Sequence, residues 1–92
     1  MLHVYLDDHH QKLLVVELKF ELLQRLEPVL DALQTKTGVQ ITEYDDVALS
    51  PEHSQLLIKL INEHNLSQAL KPLMMDLQKA VTHHSYIYFV GE

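Results

Sequence analysis

The first twenty residues contain two segments whose patterns are those of β-strands. Residues 2–6 are rich in apolar and β-branched side chains, and residues 7–11 have the composition of a turn. In residues 16–22 apolar and charged positions alternate strictly, and this period of two is typical of a half-buried strand. We therefore predict that residues 13–20 form a strand that pairs with residues 2–6 as a hairpin. A long helix starting near Lys12 is the alternative interpretation.

The period changes to that of a helix after residue 20. Apolar residues then fall on one helical face, at Leu22, Leu23, Leu26, Val29, Leu30 and Leu33. Pro28 interrupts this pattern, and it fits either the first turn of a helix starting near Glu27 or a kink in a longer helix. Gly38 is a typical residue for ending the helix.

The middle of the chain predicts a strand and then a helix. Residues 39–44 alternate again, and Asp45 and Asp46 would end that strand. Ser50 fits the cap of the next helix and Pro51 its first position. The apolar stripe of this helix is Leu56, Leu57, Leu60 and Ile61.

The last third of the chain predicts one more helical region and a terminal strand. The helical region starts near Asn65 and Ser67, and Pro72 divides it. Its predicted buried face consists of Leu70, Leu73, Met74, Leu77 and Val81. Residues 85–90 are apolar at both alternating sets of positions, so this strand is expected inside a sheet.

These elements predict an α/β (α+β) fold in the order β-β-α-β-α-α-β. The expected architecture is a single mixed sheet of about four strands packed on three helices. A length of 92 residues, 47% of them apolar, fits a single domain that spans residues 1–92. No apolar run approaches the length of a membrane span, and the first residues lack the basic region of a signal peptide.

The composition limits the localisations and the classes of binding partner to be expected. Cysteine is absent, so neither disulfides nor thiolate metal sites can form, and the cytoplasm is the expected localisation. The formal net charge of −6 disfavours binding to nucleic acid or to anionic membrane, and it favours a basic protein partner. Solubility alone is the simpler reason for such a charge.

The common catalytic motifs are missing from the sequence. The serines lack the Gly-x-Ser-x-Gly context, and two glycines cannot build a phosphate loop or a dinucleotide fingerprint. We therefore predict a non-enzymatic protein with no cofactor and no catalytic residues. The paired carboxylates Asp7-Asp8 and Asp45-Asp46 are the remaining candidates for acid–base chemistry, although aspartate is also common in turns.

Seven histidines in 92 residues are an excess, and they raise the possibility of a metal site. The run Asp7-Asp8-His9-His10 has suitable ligand types, but adjacent strand residues point to opposite faces and no His-x-x-x-His pair is present. We predict no metal ligands. A metal-binding protein and a pH sensor stay as minor alternatives.

Acidic residues concentrate in one part of the chain. Residues 37–58 contain four carboxylates and neither lysine nor arginine, and an aromatic residue with a polar tip lies among them. Such a patch suits docking on a basic protein surface. The predicted partner-binding residues are Asp7, Asp8, Glu43, Tyr44, Asp45, Asp46 and Glu52. Asp7 and Asp8 are included on the assumption that their strand is next to residues 39–44. The preference of turns for aspartate and of helix starts for glutamate is the alternative explanation.

Three segments of the sequence resemble small bacterial immunity proteins. They are residues 37–46 (TGVQITEYDD), residues 49–53 (LSPEH) with the Leu-rich helix after them, and residues 87–92 (IYFVGE). Immunity proteins are the cognate inhibitors in contact-dependent growth inhibition and related polymorphic toxin systems. The resemblance extends from about Glu27 to the end of the chain and is one of pattern and size.

The resemblance implies a cytoplasmic protein without catalysis that binds the toxin domain of a delivered effector, often a basic nuclease. The inhibitor would block the active site or substrate groove, and its acidic stretch would mimic the charge of nucleic acid. Another small acidic regulator, such as a phage-encoded inhibitor of host defence, is the first alternative. A structural or oligomeric module, with the terminal strand pairing between subunits, is a further one.

Overall fold

Strands and helices follow one another in the predicted order. The computed structural model describes residues 2–8, 11–42 and 44–91, with the side chains of all of these except residues 8 and 11–16. The elements are β1 (Leu2–Asp8), β2 (Gln11–Leu18), α1 (Phe20–Thr37), β3 (Val47–Leu49), α2 (Pro51–Glu63), α3 (Lys71–Thr82) and β4 (Ile87–Gly91). The predicted α/β class and the order β-β-α-β-α-α-β are confirmed.

The four strands form one sheet in the order β2-β1-β4-β3. All three strand pairs among the described residues are antiparallel, whereas the sequence analysis expected a mixed sheet. β1 and β3 do run in the same direction. They form no parallel pair because β4 lies between them and is antiparallel to both.

The hairpin at the start of the chain is confirmed, and the alternative of a helix from Lys12 is wrong. Leu2 pairs with Leu18, and the register runs to Asp8 opposite Gln11. β1 is two residues longer than predicted, whereas β2 keeps the predicted length of eight residues and begins two residues earlier. Asp7, Asp8 and Gln11 of the predicted turn therefore belong to the strands, and residues 9 and 10 lie outside the described residues. The first helix begins at Phe20, which the prediction had assigned to the strand.

The third strand is displaced from its predicted position. Residues 39–42 are irregular, and the strand is Val47–Leu49, so the two aspartates precede it instead of ending it. Side-chain oxygens explain the difference. The Thr37 hydroxyl accepts a hydrogen bond from the Val39 N–H at 3.1 Å, and the Thr42 hydroxyl accepts one from the Tyr44 N–H at 3.3 Å. These bonds take backbone donors that a sheet ladder would use.

Pro28 lies inside a long helix and neither starts it nor ends it. Proline has no N–H, so the Gln24 carbonyl loses its usual partner one turn ahead. Both residues lie on the exposed side of α1, where water can hydrate that carbonyl. The helix ends as predicted at Gly38, whose φ of 80° is readily accessible only to glycine and whose N–H donates to the Gln34 carbonyl at 2.7 Å.

One hydrophobic core joins the sheet to the helices. The alternating strand residues Leu2, Val4, Leu49, Ile87 and Phe89 are buried, so one sheet face carries the helices. α2 packs between α1 and α3, and α3 also contacts β1 and β2. The other sheet face is only partly covered, because its residues are half-buried or exposed: His3, Tyr5, Ala48, Tyr88 and Val90.

The terminal strand β4 lies in the interior of the sheet, as its apolar pattern predicts. It is hydrogen-bonded to β1 on one side and to β3 on the other. Both of its edges are therefore occupied over most of its length. The version of the oligomer hypothesis in which this terminal strand pairs between subunits is wrong, since the edge strands are β2 and β3.

The last helix differs from its prediction in two respects. It begins at Lys71 with Pro72 in its first turn, and the preceding residues 64–70 form turns instead of a helix. Leu73 and Leu77 are buried as predicted, whereas Met74 and Val81 are only half-buried. Asp76 and Ala80 take the remaining buried positions. The buried carboxylate was not foreseen.

Two serines at the start of α2, Ser50 just before the helix and Ser54 in its first turn, should respond to alanine substitution with opposite changes in stability. The Ser50 hydroxyl caps the helix by accepting a hydrogen bond from the His53 N–H at 3.2 Å, so Ser50→Ala should cost about 1 kcal/mol. The Ser54 hydroxyl is fully buried and has no hydrogen-bond partner among the described residues. Ser54→Ala should therefore stabilise the protein by about 1 kcal/mol.

Urea unfolding of both serine variants, followed by far-ultraviolet circular dichroism, measures the two effects. The substitution is the same in each, so differences in side-chain chemistry cannot explain a difference in sign. A loss of stability in Ser54→Ala would show that its hydroxyl does have a partner.

Candidate partner-binding groove

A concave surface lies between α1 and the irregular segment that precedes β3. We call it the α1 groove, and its volume is about 320 Å³. Its residues come from one stripe of α1 and from the chain on either side of residue 43. They are Phe20, Leu23, Gln24, Glu27, Leu30, Asp31, Gln34, Gln40, Ile41, Thr42 and Tyr44.

The groove combines an apolar floor with two exposed aromatic rings. Ile41 is buried and anchors the irregular segment in the core, and the partly buried Leu23 and Leu30 face it from α1. Phe20 is 62% exposed and Tyr44 is 83% exposed. Large side chains exposed to this degree beside a concavity are typical of binding surfaces.

The charge of the groove is entirely negative. Its ionisable side chains besides Tyr44 are Glu27 and Asp31, and none of the lining residues is Lys, Arg or His. At 100° per residue these two carboxylates lie about 40° apart around α1, whereas Arg25 and Lys36 project roughly 150° away from them. The helix therefore keeps its basic residues away from the groove.

Hydrogen bonds of one threonine shape the loop side of the groove. The Thr42 hydroxyl accepts from the Tyr44 N–H and donates to the Asp45 carboxylate, with Oγ1 to Oδ2 at 3.1 Å. The exposed Asp46 follows directly. Tyr44 thus lines the groove with Asp45 held next to it, in a local geometry that this threonine maintains.

The structure does not bring the seven predicted partner-binding residues together. The interpretation that Asp7 and Asp8 lie beside the 39–44 segment is wrong, because β4 separates β1 from β3. In the sheet register Val47 is level with Phe89 and Val4. Asp7 and Asp46 are therefore about 13 Å apart along the strands and about 10 Å apart across them.

The predicted residues therefore form two groups at opposite ends of the sheet. Tyr44 lines the groove and is followed directly by Asp45 and Asp46. Asp7 and Asp8 are at the other end, where β3 leads into α2, whose first turn contains Glu52. The predicted residue Glu43 lies outside the described residues.

Sequence reasoning missed the α1 side of the groove. Glu27 and Asp31 are four residues apart on a polar helix face, which places their side chains next to each other. That spacing is visible in the sequence. Their proximity to Tyr44 is not, because it depends on where Ile41 enters the core.

Three of the described histidines, at positions 3, 64 and 83, have local contacts or capping positions. His64 and His83 are the C-terminal caps of α2 and α3, and His64 Nδ1 lies 2.9 Å from the Leu60 carbonyl oxygen. His3 Nε2 lies 3.5 Å from a Glu17 carboxylate oxygen on the outer sheet face. Within residues 2–8, 11–42 and 44–91, no three His, Asp or Glu side chains are arranged to hold a metal ion. His9 and His10 lie outside those ranges.

None of the described helices has the length and the apolar character needed to cross a bilayer. No protein-family model matches this chain, and no curated protein or solved structure matches it significantly.

Proposed function

We propose that this protein is a non-catalytic inhibitor of the immunity type, which acts in the cytoplasm by binding a basic, nuclease-type toxin domain. The observation that carries the proposal is the α1 groove. It joins the acidic segment found in the sequence to two further carboxylates and two exposed aromatic rings.

The groove has the properties of a protein-binding hot spot. Affinity at protein interfaces is concentrated in a few aromatic and charged anchors that become desolvated on binding, and Phe20 and Tyr44 are suitable anchors. Surrounding carboxylates would attract a basic surface over a distance and accelerate association. The net charge of −6 adds to this attraction.

A nuclease-type partner fits the sign of this surface. Proteins that bind nucleic acid do so through Lys and Arg side chains that contact phosphates. Asp45, Asp46 and the groove carboxylates would pair with those side chains in place of phosphate. Binding would then cover the substrate groove of the toxin without any chemical step by the inhibitor.

The test measures binding to the toxin domain encoded by the neighbouring gene, by titration calorimetry. We expect the Asp45→Lys, Asp46→Lys double variant to bind at least about tenfold more weakly, because both changes replace attraction by repulsion directly after Tyr44, which lines the groove. Added salt should weaken binding by the unmodified protein, since part of the attraction is long-range.

The matched control carries the same change in charge at the other end of the sheet. Asp7→Lys, Glu52→Lys alters the net charge equally but lies away from the groove, so its affinity should change much less. Equal losses in the two double variants would show that only net charge matters. No loss in either would reject the acidic surface as the binding site.

If the neighbouring gene product does not bind at all, the immunity role fails and a different acidic regulator becomes the better hypothesis.

A further inference from the structure

We infer that the α1 groove receives an arginine side chain of the partner protein. This inference rests on the proposed function and specifies the chemistry of that same site. It draws on three properties of the groove: its apolar floor, its pair of carboxylates and its exposed aromatic rings.

The floor suits the aliphatic part of a long basic side chain. Leu23, Leu30 and Ile41 provide apolar surface along the groove. Arginine and lysine bury their methylene stems against such surface and keep the charged group at a polar end. A volume of about 320 Å³ accommodates one such side chain together with part of its backbone.

The carboxylates supply the charge partner. Glu27 and Asp31 are one turn apart on α1, so their side chains are neighbours of like charge, and such pairs mildly destabilise a helix. Among the described residues neither forms an ion pair. A cation bound between them would remove this repulsion and gain charge-assisted hydrogen bonds.

The surrounding groups favour arginine over lysine. A guanidinium group is planar, carries five N–H donors and stacks on aromatic faces, and Phe20 and Tyr44 both offer exposed rings at the groove. Three glutamine side chains, Gln24, Gln34 and Gln40, add amide oxygens as further acceptors. A lysine ammonium is compact and strongly hydrated, so it can use neither the stacking nor most of these acceptors.

The test uses the full-length protein, labelled with ¹⁵N, and two short capped peptides that differ only in one central residue, arginine or lysine, between leucines. Amide chemical shifts are followed during titration of each peptide. With the arginine peptide we expect changes in amide chemical shift concentrated in residues 20–34 and 40–44, and a dissociation constant of about 1 mM. The lysine peptide should bind at least about threefold more weakly.

Two double variants with equal charge changes separate the groove from a general effect of charge. Glu27→Gln, Asp31→Asn should weaken arginine-peptide binding by about tenfold or more. Glu21→Gln, Glu63→Gln removes two exposed carboxylates that do not line the groove, and it should bind as the unmodified protein does. All four substitutions are at exposed positions, and circular dichroism confirms that each variant is folded.

The inference is overturned if the arginine peptide produces no shifts in the groove, if lysine binds as well as arginine, or if both double variants behave alike. Its failure is distinguishable from failure of the proposed function. A toxin that binds with undiminished affinity to Glu27→Gln, Asp31→Asn would leave the inhibitor role intact and reject the groove as an arginine site. If the arginine peptide binds in the groove but no toxin is neutralised, the arginine site stands and the inhibitor role is rejected.

Discussion

Replacing Phe89 by alanine should lower the free energy of unfolding by about 3 to 5 kcal/mol. Phe89 is 1% exposed and lies on the core-facing side of β4, level with Val4 on one neighbouring strand and Val47 on the other. Truncation removes the transfer free energy of the ring and leaves a cavity, which the strands on both sides prevent from closing. A domain of 92 residues has a total stability of only about 5 to 14 kcal/mol, so the loss is a large fraction of it.

Urea unfolding measures this loss, and Tyr86→Ala is the control. Tyr86 is also an aromatic residue, one position before β4, but it is 47% exposed, so its truncation should cost about 1 kcal/mol or less. If Phe89→Ala does not fold, Phe89→Leu, with an expected cost of about 1 kcal/mol, is compared with Tyr86→Leu, which should cost about 0.3 kcal/mol or less at its exposed position. Equal effects of Phe89→Ala and Tyr86→Ala would contradict the central position of β4 in the core.

Periodic patterns in this sequence predict two strands correctly and misplace a third. The alternation that begins at residue 16 identified β2, although its residues 20–22 belong to α1, and the doubly apolar residues 85–90 identified the interior strand β4. The same reasoning misplaced β3. An equally regular alternation at residues 39–44 does not form β3: residues 39–42 are irregular, Ile41 among them is buried, and two threonine hydroxyls accept hydrogen bonds from backbone N–H groups.

One side of the candidate site could be predicted from the sequence and the other could not. Composition located Tyr44, Asp45 and Asp46, since local charge density can be read along the chain. Glu27 and Asp31 join them only through the packing of α1 against the segment around Ile41, which no local pattern encodes. Asp7 and Asp8 were assigned to the same patch on the assumption that β1 is next to the third strand, and the insertion of β4 between these strands separates them.

Replacing Asp76 by asparagine should stabilise the protein at pH 7 by about 1 kcal/mol. Asp76 lies on the buried face of α3, and this burial raises the pKa of its carboxyl group above the ordinary 3.8, while the positive charge of Lys79 offsets part of the rise. A raised pKa in the folded state means that folding favours the protonated form. Stability therefore falls as the pH rises from about 3.8 through the folded-state pKa, and the full cost of the buried charge persists at neutral pH.

Thermal and urea unfolding across the acid range test the sign of this effect. The stability gained by Asp76→Asn should be largest at neutral pH. It should shrink as the pH falls towards 3.8, because the Asp76 carboxyl group of the folded, unmodified protein then becomes protonated and is as uncharged as asparagine. Asp46→Asn removes an exposed carboxylate and should change stability by about 0.5 kcal/mol or less. Lys79→Gln should destabilise the protein at pH 7 only while Asp76 is present, because its favourable contribution depends on that charge. An Asp76→Asn variant that is less stable at every pH would instead assign the carboxylate a stabilising hydrogen-bonding role.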